Sequence, residues 1–160
     1  MSGLKKNDLV TGVIEGYTAE GMGVLRADGM AVFVPGTARG DRCAVRVVKV
    51  LSNRAYGRVE ELTEPSLHRT EAKCPVFPRC GGCDFQHLFY EEELWLKRKR
   101  VEDALRRIGG FDVEVPPVAP SPQLAGYRNK AIFPFGRRDG KAVFGFYRSR
   151  SHDIVPIERC

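Results

Sequence analysis

The 160-residue sequence has no apolar run near the roughly 20 residues that a membrane-spanning helix needs. Its start, Met1-Ser2-Gly3-Leu4-Lys5-Lys6, lacks the apolar stretch of a secretion signal. The expected location is therefore cytoplasmic, with no membrane partner. There is no internal repeat and no low-complexity tract. Five cysteines are an odd number, and their spacing does not suggest a disulfide scaffold, so ligand thiols are favoured over bridges. A second Cys-x-x-Cys turn is also missing, as is the Gly-rich strand-to-helix turn of a doubly wound nucleotide-binding fold. What remains is ordinary soluble composition, 42% hydrophobic and 29% charged, in a length that suits one generous domain or two small ones.

Four of the cysteines, Cys74, Cys80, Cys83 and Cys160, form the most informative pattern. Three sit in the loop Cys74-Pro-Val-Phe-Pro-Arg-Cys80-Gly-Gly-Cys83, and the fourth is residue 160. Thiolates are the soft ligands of both structural zinc and iron–sulfur clusters, and either centre takes four of them when closed. Spacing leaves both open, with a redox dithiol at Cys80 and Cys83 as a third reading that lacks its usual βαβ setting. Gly81 and Gly82 allow close backbone approach and N–H donation to sulfur, while Pro75, Phe77, Pro78 and Phe85 can shield such a centre. His87 is a weaker alternative ligand; with His68 and His152 it is expected at the surface or in a hydrogen bond. Cys43 alternates with Val45 and Val47 on one strand face and is expected to be a small core residue.

The formal net charge is +6, and its location matters more than its size. Between Gln123 and Arg150 stand seven basic residues against the single acid Asp139, so the rest of the chain sums to zero. Such a segment is an electrostatic footprint for a polyanion, the alternative being a solvated sheet face whose acidic partners lie elsewhere. The candidate phosphate contacts are Arg128, Lys130, Arg137, Arg138, Lys141 and Arg148. Phe133, Phe135, Phe144, Phe146 and Tyr147 lie among them as candidates for base stacking, although core packing is the expected role of most.

The pattern predicts a mainly β protein with one helix. Strands are expected over Leu9–Ile14, Gly23–Arg26, Met30–Val34, Arg42–Val50 and Ala55–Glu61, with a tight hairpin at Ala27-Asp28-Gly29. Five short strands suit a small OB-like barrel over residues 1–65, a shape whose open face commonly binds single-stranded nucleic acid. Residues 66–160 then form an α+β part: the cysteine loop 74–83, a helix over about 90–108, and an antiparallel meander over 127–157. Glu91, Glu92 and Glu93 near the helix start, Arg106 and Arg107 near its end, and Gly109-Gly110 as a stop match the helix dipole and C-cap preferences. Leu94, Val101, Leu105 and Ile108 share one helical face. The Lys97-Arg98-Lys99-Arg100 run circles the helix and is expected to be solvated and balanced by neighbouring acids. Phe111–Val115 alternates like a strand before a proline-rich connector, and the meander is expected at Tyr127–Phe135, Lys141–Arg148 and Asp153–Ile157.

These motifs together resemble the N-terminal part of the bacterial RNA uracil-5-methyltransferases, S-adenosylmethionine-dependent enzymes that methylate uracil in 23S ribosomal RNA. Thr11-Gly12-Val13-Ile14, Gly21-Met22-Gly23-Val24 and Val34-Pro35-Gly36 look like a TRAM domain, a small RNA-binding barrel. The cysteine arrangement is the more specific match, since Cys74, Cys80-Gly81-Gly82-Cys83, Ile154-Val155-Pro156-Ile157 and Cys160 follow the pattern of the cluster-bearing members. That resemblance implies a [4Fe-4S] cluster held by all four cysteines, places Tyr127-Arg128-Asn129-Lys130 in an RNA-facing central domain, and makes RNA, ribosomal RNA in particular, the partner, with no protein partner. It also implies that the S-adenosylmethionine-binding domain, the catalytic cysteine and the general-base glutamate lie downstream of the fourth ligand, so the chain is expected to be a portion without the catalytic domain and inactive alone. The alternative is a stand-alone RNA-binding adaptor with a four-cysteine zinc site.

Overall fold

The computed structural model describes residues 3–149 and 151–160. Arg150, counted above in the basic segment, and Met1-Ser2, part of the N-terminal reading, lie outside the described residues. The chain divides into two units, Met1–Thr70 with His87–Val118, and Glu71–Gln86 with Ala119–Cys160. They are called here the barrel unit and the cysteine unit.

The barrel unit is a curled antiparallel-rich sheet of β1 Leu9–Val13, β2 Gly16–Tyr17, β3 Gly23–Ala27, β4 Met30–Val34, β5 Arg42–Val50 and β6 Arg54–Glu64. The strand order is β1-β5-β6-β4-β3-β2, with β4 and β6 parallel. This fits an OB-like barrel broadly, but with six strands where five were expected. The additional strand arises because the run from Leu9 to Tyr17 bends: Ile14 N–H donates to the Asp41 carbonyl at 2.9 Å, and Glu15 N–H turns instead to the Val24 carbonyl at 2.8 Å. One continuous segment thus pairs with β5 and then with β3, which curls the sheet on itself. The expected hairpin joins β3 to β4 through Asp28 and Gly29, both at positive φ (49° and 73°), the geometry in which turn twist matches strand twist. Inward alternation assembles a core that includes Ile14, Leu25, Val32, Val34, Val45 and Val47, and Cys43 lies in it as expected.

Helix α1 spans Tyr90–Arg107, with acids in its first turn and arginines in its last. Its buried side is not the expected apolar stripe, since Val101 and Ile108 are 48% and 88% exposed. The buried positions are Glu92 and Leu96, one turn apart. Glu92, only 2% exposed, accepts two bonds from Arg39 (Nε to Oε1 2.9 Å, Nη2 to Oε2 2.8 Å) and one from the Tyr17 hydroxyl at 3.1 Å, with His68 Nδ1 3.2 Å from Oε2. The Arg39 guanidinium also stacks 4.0 Å above the Trp95 ring. The Lys97–Arg100 run pairs as expected with neighbouring acids: Lys97 with Glu93, Arg98 with Glu102 and Lys99 with Asp103.

Asp41, fully buried, performs a similar service for the chain leaving the barrel. It accepts from the Ala38 and Ser66 amides at 2.6 and 2.9 Å and is clamped by Arg69 at 2.7 Å. Buried His87 donates from Nε2 to the Thr37 carbonyl at 3.2 Å.

Phe111–Val115 is not a strand: among the described residues no strand pairs with it, and Phe111 and Val113 are more than half exposed. In the cysteine unit, β7 Phe135–Arg138, β8 Lys141–Tyr147 and β9 Ile154–Pro156 form the meander, with Asp139 and Gly140 at positive φ in its first turn. The expected first strand shifts, because Tyr127–Pro134 is irregular and β7 begins at Phe135, opposite Phe144. Towards its end, β8 is met by the cysteine loop, through the Cys80–Arg148 bridge and a 2.9 Å bond from Gly81 N–H to the Tyr147 carbonyl.

Two outcomes follow for stability. Glu92→Ala removes the acceptor shared by Arg39, Tyr17 and His68, and should cost about 3 kcal/mol in urea unfolding, the lower end for a broken buried ion pair because Arg39 can turn to solvent. A cost below about 0.5 kcal/mol, the scale of a surface substitution, would sink this account of helix docking. Acid should act in two steps. Burial holds the His87 imidazole below its ordinary pKa, so its contribution is complete above the unfolded value of about 6.5 and is lost as pH falls below that. Burial alone would raise the Asp41 carboxyl, but Arg69 and the two amides outweigh it and hold it below the ordinary value, so its contribution is lost as pH falls below about 4. Urea midpoints measured against pH should show both steps, and His87→Gln should flatten the first alone.

Candidate metal centre and nucleic-acid interface

The cysteine loop is built by local turns. Phe77 N–H donates to the Cys74 carbonyl at 3.1 Å, Cys80 N–H to the Val76 carbonyl at 3.0 Å, and Cys74 N–H to the Gln86 side chain at 3.2 Å. The two glycines then lay the loop on β8. A Cβ at Gly81 would stand 2.7 Å from the Tyr147 carbonyl oxygen, and one at Gly82 3.2 Å from the Phe146 ring, so the first position excludes a side chain. Gly82 N–H reaches the Cys80 sulfur at 3.4 Å, the N–H to sulfur donation expected of this loop.

All four candidate ligands belong to the cysteine unit and all are free thiols, Cys74 and Cys80 half-buried, Cys83 and Cys160 exposed. The loop descends β8 from Arg148 past Phe146, and β9 descends its other side from Tyr147 to Gly145, with Ile157 bonded to Phe144. Loop and last strand therefore run along β8 in the same sense. Among the described residues, however, no three His, Cys, Asp or Glu side chains are gathered closely enough to hold a metal ion. The donor chemistry of Cys74, Cys80, Cys83 and Cys160 fits a thiolate-ligated centre. His87, the alternative ligand, lies in the barrel unit against Thr37, and His68 is committed to Glu92.

The six candidate RNA contacts Arg128, Lys130, Arg137, Arg138, Lys141 and Arg148 are all exposed in the cysteine unit. None is ion-paired among the described residues, and every ion pair described lies in the barrel unit. Strand register sorts them. Arg137 shares a face with Phe135 and with their partners Ala142 and Phe144, and alternation adds Phe146 and Arg148; Arg138 and Lys141 face the other way. Phe133 packs on Phe144 and Phe146 at centroid distances of 6.0 and 5.0 Å, and Phe144 on Phe135 at 5.7 Å. Phe135 and Phe144 remain 77% and 43% exposed. Core packing thus does not account for these two rings.

Little is buried in this unit. Among its described residues only Gly145 and Val155 are buried. Burial raises the pKa of Cys43, the one cysteine of the barrel unit, with Asp41 adding to the effect; a thiol so placed is an inert core group. Sequence reasoning gave Glu92 only a place among the acids at the helix start, and assigned no role to Arg39, Phe33, Tyr56, Lys49 or Arg54. For Arg54 and Tyr56 the signal was legible: Arg54-Ala55-Tyr56-Gly57-Arg58 alternates basic and aromatic positions with small ones, placing the large side chains outside the barrel.

No protein-family profile matches the chain. It is 44% identical over 158 residues to an uncharacterized RNA methyltransferase of Halalkalibacterium halodurans, covering 98% of this chain and 34% of that protein. Uncharacterized RNA methyltransferases of Bacillus cereus and Synechocystis sp. are each 42% identical over the same span. Among solved structures, the tRNA (uracil-54, C5)-methyltransferase of Pyrococcus abyssi, crystallised with S-adenosyl-L-homocysteine, matches with a TM-score of 0.61 and 34% identity, over 94% of this chain and 32% of that one. Over nearly its whole length, then, the chain is similar to part of these RNA methyltransferases, and it spans about a third of the length of each.

Proposed function

We propose that this chain is the RNA-recognition and [4Fe-4S]-binding portion of an S-adenosylmethionine-dependent RNA uracil-5-methyltransferase, with 23S ribosomal RNA as its substrate. The observation that carries this reading is the cysteine unit itself, where four free thiols stand beside an unpaired basic and aromatic face in a unit that buries almost nothing. Similarity to RNA methyltransferases over 98% of the chain supports an RNA substrate, and the uracil-C5 activity of the Pyrococcus abyssi neighbour supports the choice of reaction.

Cys74, Cys80, Cys83 and Cys160 would each supply one thiolate to the cluster, with Gly82 N–H donating to the Cys80 sulfur. Bound there, the cluster would cross-link the cysteine loop to the segment after β9, a structural role. Arg137 and Arg148 would meet phosphate on the face that carries Phe135 and Phe144, and Arg128, Lys130, Arg138 and Lys141 would extend the positive field. Methyl transfer to carbon-5 needs a nucleophilic thiolate and a base outside these residues, because Cys43 is sealed in the barrel core and the other four thiols are ligands. The chain alone is therefore expected to bind RNA without methylating it.

The deciding experiment is metal and sulfide analysis of anaerobically purified protein. Iron and acid-labile sulfide in equal amounts, about four of each per chain, with their charge-transfer absorption lost in Cys80→Ser, are expected. Zinc without sulfide in protein never exposed to oxygen would replace this reading with that of a zinc-bearing RNA-binding adaptor. RNA binding should also weaken with salt, and Arg137→Ala with Arg138→Ala should reduce the slope of log affinity against log salt by about 1.4 if both meet single-stranded phosphates. An unchanged slope would remove the basic segment from the interface.

A further inference from the structure

We infer that Phe146 is a positioning residue of the metal centre, its ring being the seat on which the Cys80–Cys83 turn rests. The inference rests on the reading of the four cysteines as metal ligands, and it gives Phe146 a task different from that of Phe135 and Phe144, the two rings left exposed on the same face.

The turn is pressed onto the end of β8. Gly81 N–H donates to the Tyr147 carbonyl at 2.9 Å, and Cys80 forms a bridge with Arg148. The following residue meets a side chain instead of backbone. A Cβ at Gly82 would stand 3.2 Å from Phe146 Cδ2, and 3.4 Å from both Phe146 Cγ and the Cys80 sulfur. Ring and ligand sulfur thus border the same bare α-carbon. The Gly82 amide donates to that sulfur at 3.4 Å, so the residue that aims a hydrogen bond at a ligand is the one backed by the ring.

The ring is itself held. Phe133 packs on it at 5.0 Å between centroids, closer than Phe133 to Phe144 at 6.0 Å or Phe135 to Phe144 at 5.7 Å. Phe133 and Phe146 are half-buried, whereas Phe135 and Phe144 are exposed. Alternation puts Phe144 and Phe146 on one face of β8, so strand register does not separate them. What separates them is the loop, which meets Phe146 through Gly82. Groups that back a metal ligand from behind commonly change metal affinity tenfold or more, because they fix the ligand's orientation before the metal arrives.

The test follows loss of the charge-transfer absorption from anaerobically purified, metal-loaded protein challenged with a ferrous-iron chelator. It compares the wild type with Phe146→Leu, Gly82→Ala, the two together, and Phe144→Leu. Phe146→Leu should speed the loss about tenfold, the scale on which such backing groups act. Phe144→Leu, an equal truncation two residues away on the same face, should leave the wild-type rate. Gly82→Ala should also speed the loss, because its methyl crowds the ring, and the combined variant should lose metal no faster than the faster single one, since leucine makes room for that methyl. Independent sites would multiply instead. If Phe146→Leu cannot be purified in folded form, Gly82→Ala carries the test alone, and a wild-type rate there overturns the inference. Equal rates for Phe146→Leu and the wild type, or for Phe146→Leu and Phe144→Leu, overturn it and leave the proposed function standing. Zinc in place of iron and sulfide overturns the proposed function, and the same variants followed with a zinc indicator then decide the inference. Wild-type protein that holds no metal overturns both.

Discussion

One buried carboxylate organises the barrel unit. Glu92 comes from the first turn of α1, and its partners come from the end of β2 (Tyr17), the β4–β5 loop (Arg39) and the segment after β6 (His68). The helix needs such an anchor, because only Leu96 joins Glu92 as a fully buried helical position. An isolated carboxylate in that place would cost several kcal/mol, and only a complete set of donors offsets it. The set is complete here because Tyr17 works in both directions. Its hydroxyl donates to Glu92 and accepts from the Arg39 amide at 2.8 Å, and burial drives its pKa well above the ordinary value, so it stays a donor at any working pH. Asp41 repeats the device one loop away. The geometry of the helix is thus set by directional bonds, which tolerate no rotation about the helix axis, where an apolar stripe would have tolerated some.

The same contrast separates the charges of the two units. Acids and bases are matched in the barrel unit, where ion pairs line the helix and the outer strands. The cysteine unit holds ten basic residues against five acidic ones, and none is paired among its described residues. Unpaired charge at this density repels itself, and a fold keeps it only where a partner of opposite sign returns the energy. That is why the location of the +6 charge says more than its magnitude.

How much of this was legible depended on the range of the interaction. The barrel strands came through because inward alternation is written locally, and the β3–β4 hairpin because Asp28-Gly29 can adopt the positive φ values the turn requires. The helix limits came through for the same reason, in Glu91–Glu93 and Arg106-Arg107. The helix face did not, because apolar spacing points to Val101 and Ile108 while the choice is made by Arg39 and Tyr17, 53 and 75 residues away from Glu92. Phe111–Val115 has the alternation of a strand, but among the described residues no strand pairs with it, and Tyr127–Pro134 stays irregular ahead of β7. The bend at Ile14-Glu15 was equally hidden, since it changes hydrogen-bond partners without any interruption of the inward pattern. For the candidate site, the identity of the thiols and cations could be read, whereas the faces on which the cations lie needed the register of β7 and β8.

The cysteine unit poses a physical problem that its thiols are suited to solve. A three-stranded sheet with two buried residues cannot offset the conformational entropy of its own chain by apolar burial, and units of this size ordinarily rely on covalent or metal staples. Disulfides are one route, but the five cysteines are free thiols. A metal centre is the other, and its four ligands would sit where they constrain most: three in the loop fastened to the end of β8 and one beyond the strand that pairs along its opposite edge. Closing that link would tie the two sides of β8 together and order the strand that presents Phe144 and Phe146. A centre bound there would serve recognition by holding the aromatic and basic face in one shape, and its loss would be felt first in RNA binding and in the stability of β7–β9, before any chemistry is considered.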